Sequence, residues 1–187
     1  MRKLCEFLKK NNATIIVISF VLLAVYAICM ATPTAYLRYY GDLDTFYQPI
    51  QGLNDAFIFL AIGGIVLGLL YNLFRNNIRK IFYISNFVWF GLFLALDLAT
   101  VIVVIAGVAK YQGLYGGLDF AAINSYFESM KLPYFVDPNT PVFLLGYLTA
   151  VVILLNGCAT GLVLFDQLKN RKAMLEAIAN DTVEEVK

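Results

Sequence analysis

The chain alternates long apolar stretches with short polar or charged ones, and this pattern predicts its main elements. Four stretches carry almost no charge: residues 13–32, 56–74, 82–107 and 142–165. About 20 mainly apolar residues in an α-helix cross the roughly 30 Å hydrocarbon layer of a bilayer. These are continuous apolar runs, unlike the alternating pattern of a barrel strand. We therefore predict an all-α membrane protein, a bundle of four transmembrane helices.

The segments between these helices differ in charge. We expect two outer loops, residues 33–55 and 108–141, a short inner connector, and an inner tail over 166–187, all in one membrane domain spanning 1–187. With this topology only three of the 14 basic residues lie outside, leaving eleven inside. Such an excess marks the cytoplasmic side. The pattern predicts a multi-pass protein of the plasma (cytoplasmic) membrane with both termini in the cytoplasm.

The first apolar stretch has a second interpretation. The basic segment "MRKLCEFLKK", the apolar run and the small residues of "CMATPTA" together resemble a cleavable signal peptide. The apolar run of about 18 residues is longer than the usual core of such a peptide. This length favours an uncleaved membrane anchor.

Composition narrows the range of functions. The chain is 60% hydrophobic and 14% charged, which leaves little for a soluble domain, and it contains no histidine. Without histidine, Ser-His-Asp catalysis and histidine-ligated metal sites are excluded. The three cysteines lie too far apart along the predicted helices for a disulfide framework. We expect a protein that is not an enzyme, holds no metal or cofactor, and binds no nucleic acid.

Glycine pairs mark two of the predicted helices. Gly64 and Gly68 are four residues apart in the second helix, and Gly157 and Gly161 have the same spacing in the fourth. Small residues at this spacing let two helix backbones approach closely inside a membrane. The pairs predict either packing within this bundle or an interface with another protein.

Asp97 is the one acidic residue in the third helix, and its apolar setting needs a reason. Counting about 1.5 Å per residue places Asp97 roughly 4 Å outward of the bilayer midplane, near Tyr26, Thr149 and Asn156. An unpaired carboxylate there costs on the order of 3 kcal/mol. We therefore expect the protonated form, with the hydroxyl groups of Tyr26 and Thr149 as candidate partners. Three roles follow: fastening helices together, relaying protons or cations, or lining a pore.

The second outer loop predicts a short amphipathic helix. Phe120, Ile123, Phe127 and Met130 recur at spacings of three and four, and Pro133 follows them. This is one apolar face of a helix that ends before the proline. The face is expected either to cap the bundle or lie on the membrane surface, or to dock another protein.

These features support a functional hypothesis. We expect an accessory or scaffold subunit that is embedded in the lipid bilayer and binds another membrane protein, or a second copy of itself. The contacts would be the glycine-rich helix faces and the aromatic outer loops. The alternative is a small oligomeric transporter or channel in which Asp97 is the proton- or cation-linked residue.

Overall fold

The computed structural model describes residues 2–37, 46–75, 80–137, 142–170 and 176. This part of the chain forms six α-helices: α1 Arg2–Lys10, α2 Asn12–Leu37, α3 Tyr47–Arg75, α4 Lys80–Gly116, α5 Phe120–Ser129 and α6 Val142–Lys169. The four long helices, α2, α3, α4 and α6, correspond to the four predicted apolar stretches. The prediction of an all-helical chain with four apolar helices is confirmed.

Each of these four helices contains a span long and apolar enough to cross a membrane. The spans are Asn12–Ala31, Gln48–Leu73, Phe87–Gly116 and Val142–Lys169. The helices themselves extend beyond the predicted limits, because a run of apolar residues identifies only the part of a helix that lies in hydrocarbon. At about 1.5 Å per residue, α4 is roughly 55 Å long and projects well beyond a bilayer.

The four long helices form a closed ring in which each contacts two neighbours. α2 packs against α3 and α6, and α4 packs against the same two helices. Their register is consistent throughout: Tyr26, Val108 and Gly146 meet at one level, and Asp97 meets Gly157 at another. The two levels are separated by eleven residues on both α4 and α6, or roughly 16 Å.

Charged residues bound the apolar part of the ring at each end. At the end that holds α1, here called inner, Lys9 pairs with Asp166; at the opposite, outer end, Lys110 on α4 is exposed. Asp166 is nine residues from Gly157, roughly 14 Å, and Lys110 is 13 residues from Asp97, roughly 20 Å. Measured between these two charges, Asp97 lies slightly on the α1 side of the middle, whereas the count from the predicted helix ends expects it on the other side.

Residues 120–137 form a compact unit, the outer cap, over the outer end of the ring. The cap consists of α5 and the extended segment that follows it. Asp119 begins α5 by accepting a hydrogen bond from the Ala122 amide at 3.0 Å. Lys131 ends the helix in the left-handed region at φ 54°, while the Leu132 amide donates to the Phe127 carbonyl at 2.9 Å. This pattern of bonds is typical of a helix C-terminus.

Two side chains fasten the extended segment of the cap. Asn124 bonds Val136 in both directions: its amide donates to the Val136 carbonyl at 3.1 Å, and its oxygen accepts from the Val136 amide at 2.9 Å. The Tyr115 hydroxyl donates to the Asp137 carbonyl at 2.6 Å. The segment is thereby tied both to α5 and to the end of α4.

Candidate functional site

The central polar contact of the bundle joins α4 to α6. The Asn156 amide donates to Oδ1 of Asp97 at 2.6 Å, and both side chains are 0% exposed. The buried hydroxyls of Ser19 and Thr100 donate to carbonyls of their own helices. Asp97 instead bonds across to a neighbouring helix, so the contact links two elements.

Gly157 makes room for the carboxyl group of Asp97. It belongs to the buried face of α6, which also carries Thr149, Ile153, Asn156 and Thr160 at helical spacing. A Cβ atom at Gly157 would lie 2.5 Å from Oδ2 of Asp97. A glycine is therefore needed beside Asn156, because any side chain would collide with the carboxyl group.

In the part of the chain that the structure describes, two oxygens at this contact are left without a donor. Oδ2 of Asp97 and Oδ1 of Asn156 are buried and have no hydrogen-bond partner within the described residues. Both are acceptors when the carboxyl group is ionised. A proton on Oδ2 of Asp97 would convert that atom from an acceptor into a donor. The neutral acid therefore fits this contact better than the carboxylate, whose burial is costly.

Comparisons of the chain with protein-family models, with curated proteins and with solved structures found no match. Within the described segments, no group of three or more Cys, Asp and Glu side chains is arranged to hold a metal ion.

Tyr26 and Thr149, the two hydroxyl partners expected for Asp97, lie elsewhere. Tyr26 is buried beside Gly146 and Val108 and packs on Phe57 with ring centroids 5.7 Å apart. Thr149 donates to the carbonyl of Leu145, four residues back on α6, at 2.8 Å. Thr149 is eight residues from Gly157 and Tyr26 lies further outward, so roughly 12 to 16 Å separates each from Asp97 along the bundle axis.

A second polar contact ties α2 to α6 and has no counterpart in the sequence-based predictions. The Asn12 amide donates to the Thr160 hydroxyl at 3.1 Å, and both residues are fully buried. Asn12 directly precedes the apolar run of α2. A polar residue at that position is the one signal in the sequence from which this contact could have been suspected. With Asp97 and Asn156, these residues form a polar seam on the inner half of the bundle.

Three of the four predicted glycines pack inside the ring. A Cβ at Gly64 would overlap the ring of Phe20, and one at Gly68 would overlap Ile16 and lie 3.3 Å from Phe93. Gly157 faces Asp97. A Cβ at Gly161 would have nothing within 4 Å, so this glycine faces open space. Gly64 and Gly68 of α3 therefore lie where α3 packs against α2.

The predicted outer docking face is mostly turned inward. Ile123 and Phe127 are buried, and Phe120 packs against Tyr115 with ring centroids 5.1 Å apart. Of the four residues in the predicted face, Met130 is the exposed one, at 57%. Phe135, in the extended segment of the cap, is 72% exposed. A partner on this side could therefore reach Met130 and Phe135 directly.

An uncovered row of small residues runs along α4. At about 100° per residue its members fall within roughly 80° of the helix circumference, and all of them are exposed. This small-residue row consists of Gly91, Ala95, Ala99, Ala106, Ala109 and Gly113. Its spacing allows close helix approach as glycine pairs do. The signal was present in the sequence, but only burial distinguishes an outward row from an inward one.

Proposed function

We propose that this chain is a non-enzymatic accessory or scaffold subunit that holds a partner membrane protein against α4. The observation that carries the proposal is the small-residue row on the outward face of α4. Lipid supplies no hydrophobic drive for helix association, so a helix that binds another in the membrane uses close backbone approach. A row of glycine and alanine gives α4 that capacity on either side of Ile102.

The outward faces of the other long helices support this choice of surface. α3 exposes Phe59, Ile62, Val66 and Leu69, which fill the space next to lipid with bulky side chains. α2 and α6 likewise expose valine, isoleucine and leucine along their outward faces. On α4, exposed Ile102 interrupts the row, and Leu92, Leu98 and Ile105 flank it. The row thus forms two shallow stretches between larger side chains, residues 91–99 and 106–113, with Ile102 between them.

The outer cap offers a second contact for the same partner. Tyr115, which bonds the cap, is 18 residues beyond Asp97, or roughly 27 Å outward. On this count we expect exposed Phe135 and Met130 to lie beyond the hydrocarbon layer, where lipid chains would not cover them. Apolar side chains exposed on a fastened surface are typical of a protein interface. A partner with an outer domain next to its transmembrane helix fits both surfaces.

Site-specific photo-crosslinking in native membranes tests the proposal. A photoreactive residue at Ala99 on α4 is expected to give one protein adduct, and a residue at Val66 on α3 is expected to react with lipid. The matched bulky variants are Ala95→Ile on α4 and Val66→Phe on α3, and only the first is expected to abolish the Ala99 adduct. Protein adducts at Val66 alone, or none at either position, would contradict the proposal.

The polar seam supports a second candidate, a transporter or channel that uses Asp97. Oδ2 of Asp97 and Oδ1 of Asn156 are buried acceptors, and Asn12 and Thr160 continue the polar residues toward the inner end. Purified protein in liposomes tests this function by ion or proton flux. Flux that Asp97→Asn abolishes would favour transport over the accessory role. An equal background leak in the unaltered protein and in Asp97→Asn would reject the transport function.

A further inference from the structure

The amino-terminal helix α1 is amphipathic, and its apolar face is the exposed one. This is the reverse of a helix packed on a soluble protein. At about 100° per residue, Leu4, Cys5, Phe7 and Leu8 form one face, and the four basic residues together with exposed Glu6 form the other. Lys9, on the basic face, pairs with Asp166 of α6. Leu4 and Phe7 are left 61% and 59% exposed. A helix on a water-soluble core would turn this apolar face inward.

The position of α1 explains that orientation. Asn11 alone separates α1 from α2, and its amide donates to the Phe7 carbonyl at 3.0 Å, so α1 nearly continues the path of α2. Asn12 is level with Thr160, and the Lys9–Asp166 pair follows at the end of the apolar part of α2 and α6, where the inner edge of a hydrocarbon layer is expected. Leu4 and Phe7 come next, at the depth where headgroups meet acyl chains. Apolar side chains are stable there while lysines reach the headgroups.

We propose that α1 is a lipid-binding element, with Leu4 and Phe7 inserted in the inner interface and Lys3 and Lys10 on anionic headgroups. Lys3 and Lys10 are exposed and border the apolar face on the side of Phe7. Their charge complements an anionic lipid surface, where each lysine contributes about 1 kcal/mol, or roughly fivefold in affinity. The Lys9–Asp166 pair holds the helix in the orientation that this binding requires.

Tryptophan fluorescence of the full chain in vesicles tests the proposal. In a Trp89→Phe background, Phe7→Trp places one tryptophan on α1. Phe59→Trp, on the exposed face of α3, is the lipid-facing reference, and Ser125→Trp, on the exposed face of the outer cap, is the aqueous reference. Vesicles contain brominated lipids with either phosphatidylcholine alone or added phosphatidylglycerol. Size-exclusion chromatography confirms that each variant retains the fold.

The expected result is blue-shifted Phe7→Trp emission that brominated lipid quenches, more strongly when phosphatidylglycerol is present. Adding Lys3→Gln and Lys10→Gln is expected to remove the dependence on phosphatidylglycerol. Water-like, unquenched emission, matching Ser125→Trp, would overturn the proposal. Blue-shifted emission without quenching would also overturn it, because a second copy or a partner protein would then cover the face. If quenching still depends on phosphatidylglycerol after Lys3→Gln and Lys10→Gln, the proposed contact of these two lysines with anionic headgroups would be overturned.

Discussion

At the scale of single residues, the Asp97–Asn156 contact accounts for the acidic side chain in the third helix. The carboxyl group accepts a bond from one amide and rests against the backbone of Gly157. Among the roles that the sequence left open, a neutral acid that joins helices fits these contacts most simply. In this role Asp97 needs a hydrogen-bonding side chain that is neutral and similar in shape.

Replacing Asp97 tests this requirement. Asp97→Asn is expected to leave the free energy of unfolding nearly unchanged, because a neutral amide can both accept from and donate to Asn156. Asp97→Leu leaves the Asn156 amide without a partner and is expected to cost about 1 to 3 kcal/mol. Reversible unfolding of the reconstituted protein measures both values. A large loss for Asp97→Asn would show that the charged form is needed.

Gly157 gives a matched pair with Gly161. Gly157→Ala is expected to destabilise the bundle by about 1 to 3 kcal/mol, since its Cβ would overlap Oδ2 of Asp97. Gly161→Ala, which meets nothing within 4 Å, is expected to cause no loss. Unfolding measurements on the two variants check the difference. Equal stability of both variants would mean that α6 does not approach Asp97 as described.

At the scale of elements, the outer cap depends on Asn124 rather than on its apolar face alone. Asn124→Ala removes both hydrogen bonds to Val136, each worth about 0.5 to 1.5 kcal/mol. Hydrogen exchange at the Val136 amide is expected to become at least about tenfold faster, since tenfold corresponds to roughly 1.4 kcal/mol. Amides in the middle of α4 and α6 are expected to keep their protection.

Ser125→Ala, at the next position and exposed, is the control for Asn124→Ala. Its exchange pattern is expected to match that of the unaltered protein. If Asn124→Ala also left exchange at Val136 unchanged, the extended segment would be held by its apolar contacts and not by Asn124.

The elements differ in how far the sequence predicted them. The four long helices were predictable because crossing hydrocarbon demands length and apolarity, which a sequence displays directly. The face of α5 was also visible as a spacing, but whether Ile123 and Phe127 point toward the bundle is decided by tertiary packing. Spacing gives the face of a helix and leaves its partner open.

The polar site was less predictable for the same reason. Asp97 was identified by its charge, but its partner depends on the register of α4 against α6, and an error of a few residues at a helix end shifts that register by several ångströms. Asn156 was among the expected intramembrane polar residues, yet hydroxyls were favoured as partners. The small-residue row does not appear as a glycine pattern, because four of its six members are alanine.

At the scale of the whole molecule, the bundle combines a packed interior with one unusual lateral face. Buried aromatic rings fill the ring of helices, as in the stacked Tyr71 and Phe93, whose ring centroids are 5.6 Å apart. The outward faces of α2, α3 and α6 carry the bulky aliphatic side chains expected next to lipid. Among the described residues, the row on α4 and the exposed residues of the outer cap are the surfaces to which we assign the proposed partner.

The composition and mass of the complex, after gentle extraction from native membranes, test the central claim most directly. We expect a stoichiometric second membrane protein with the unaltered chain and with the control Val66→Phe. We expect Ala95→Ile to lose that protein while keeping its own fold. Recovery of the unaltered chain alone would contradict the account, and recovery as a homo-oligomer would contradict the claim of a different partner protein.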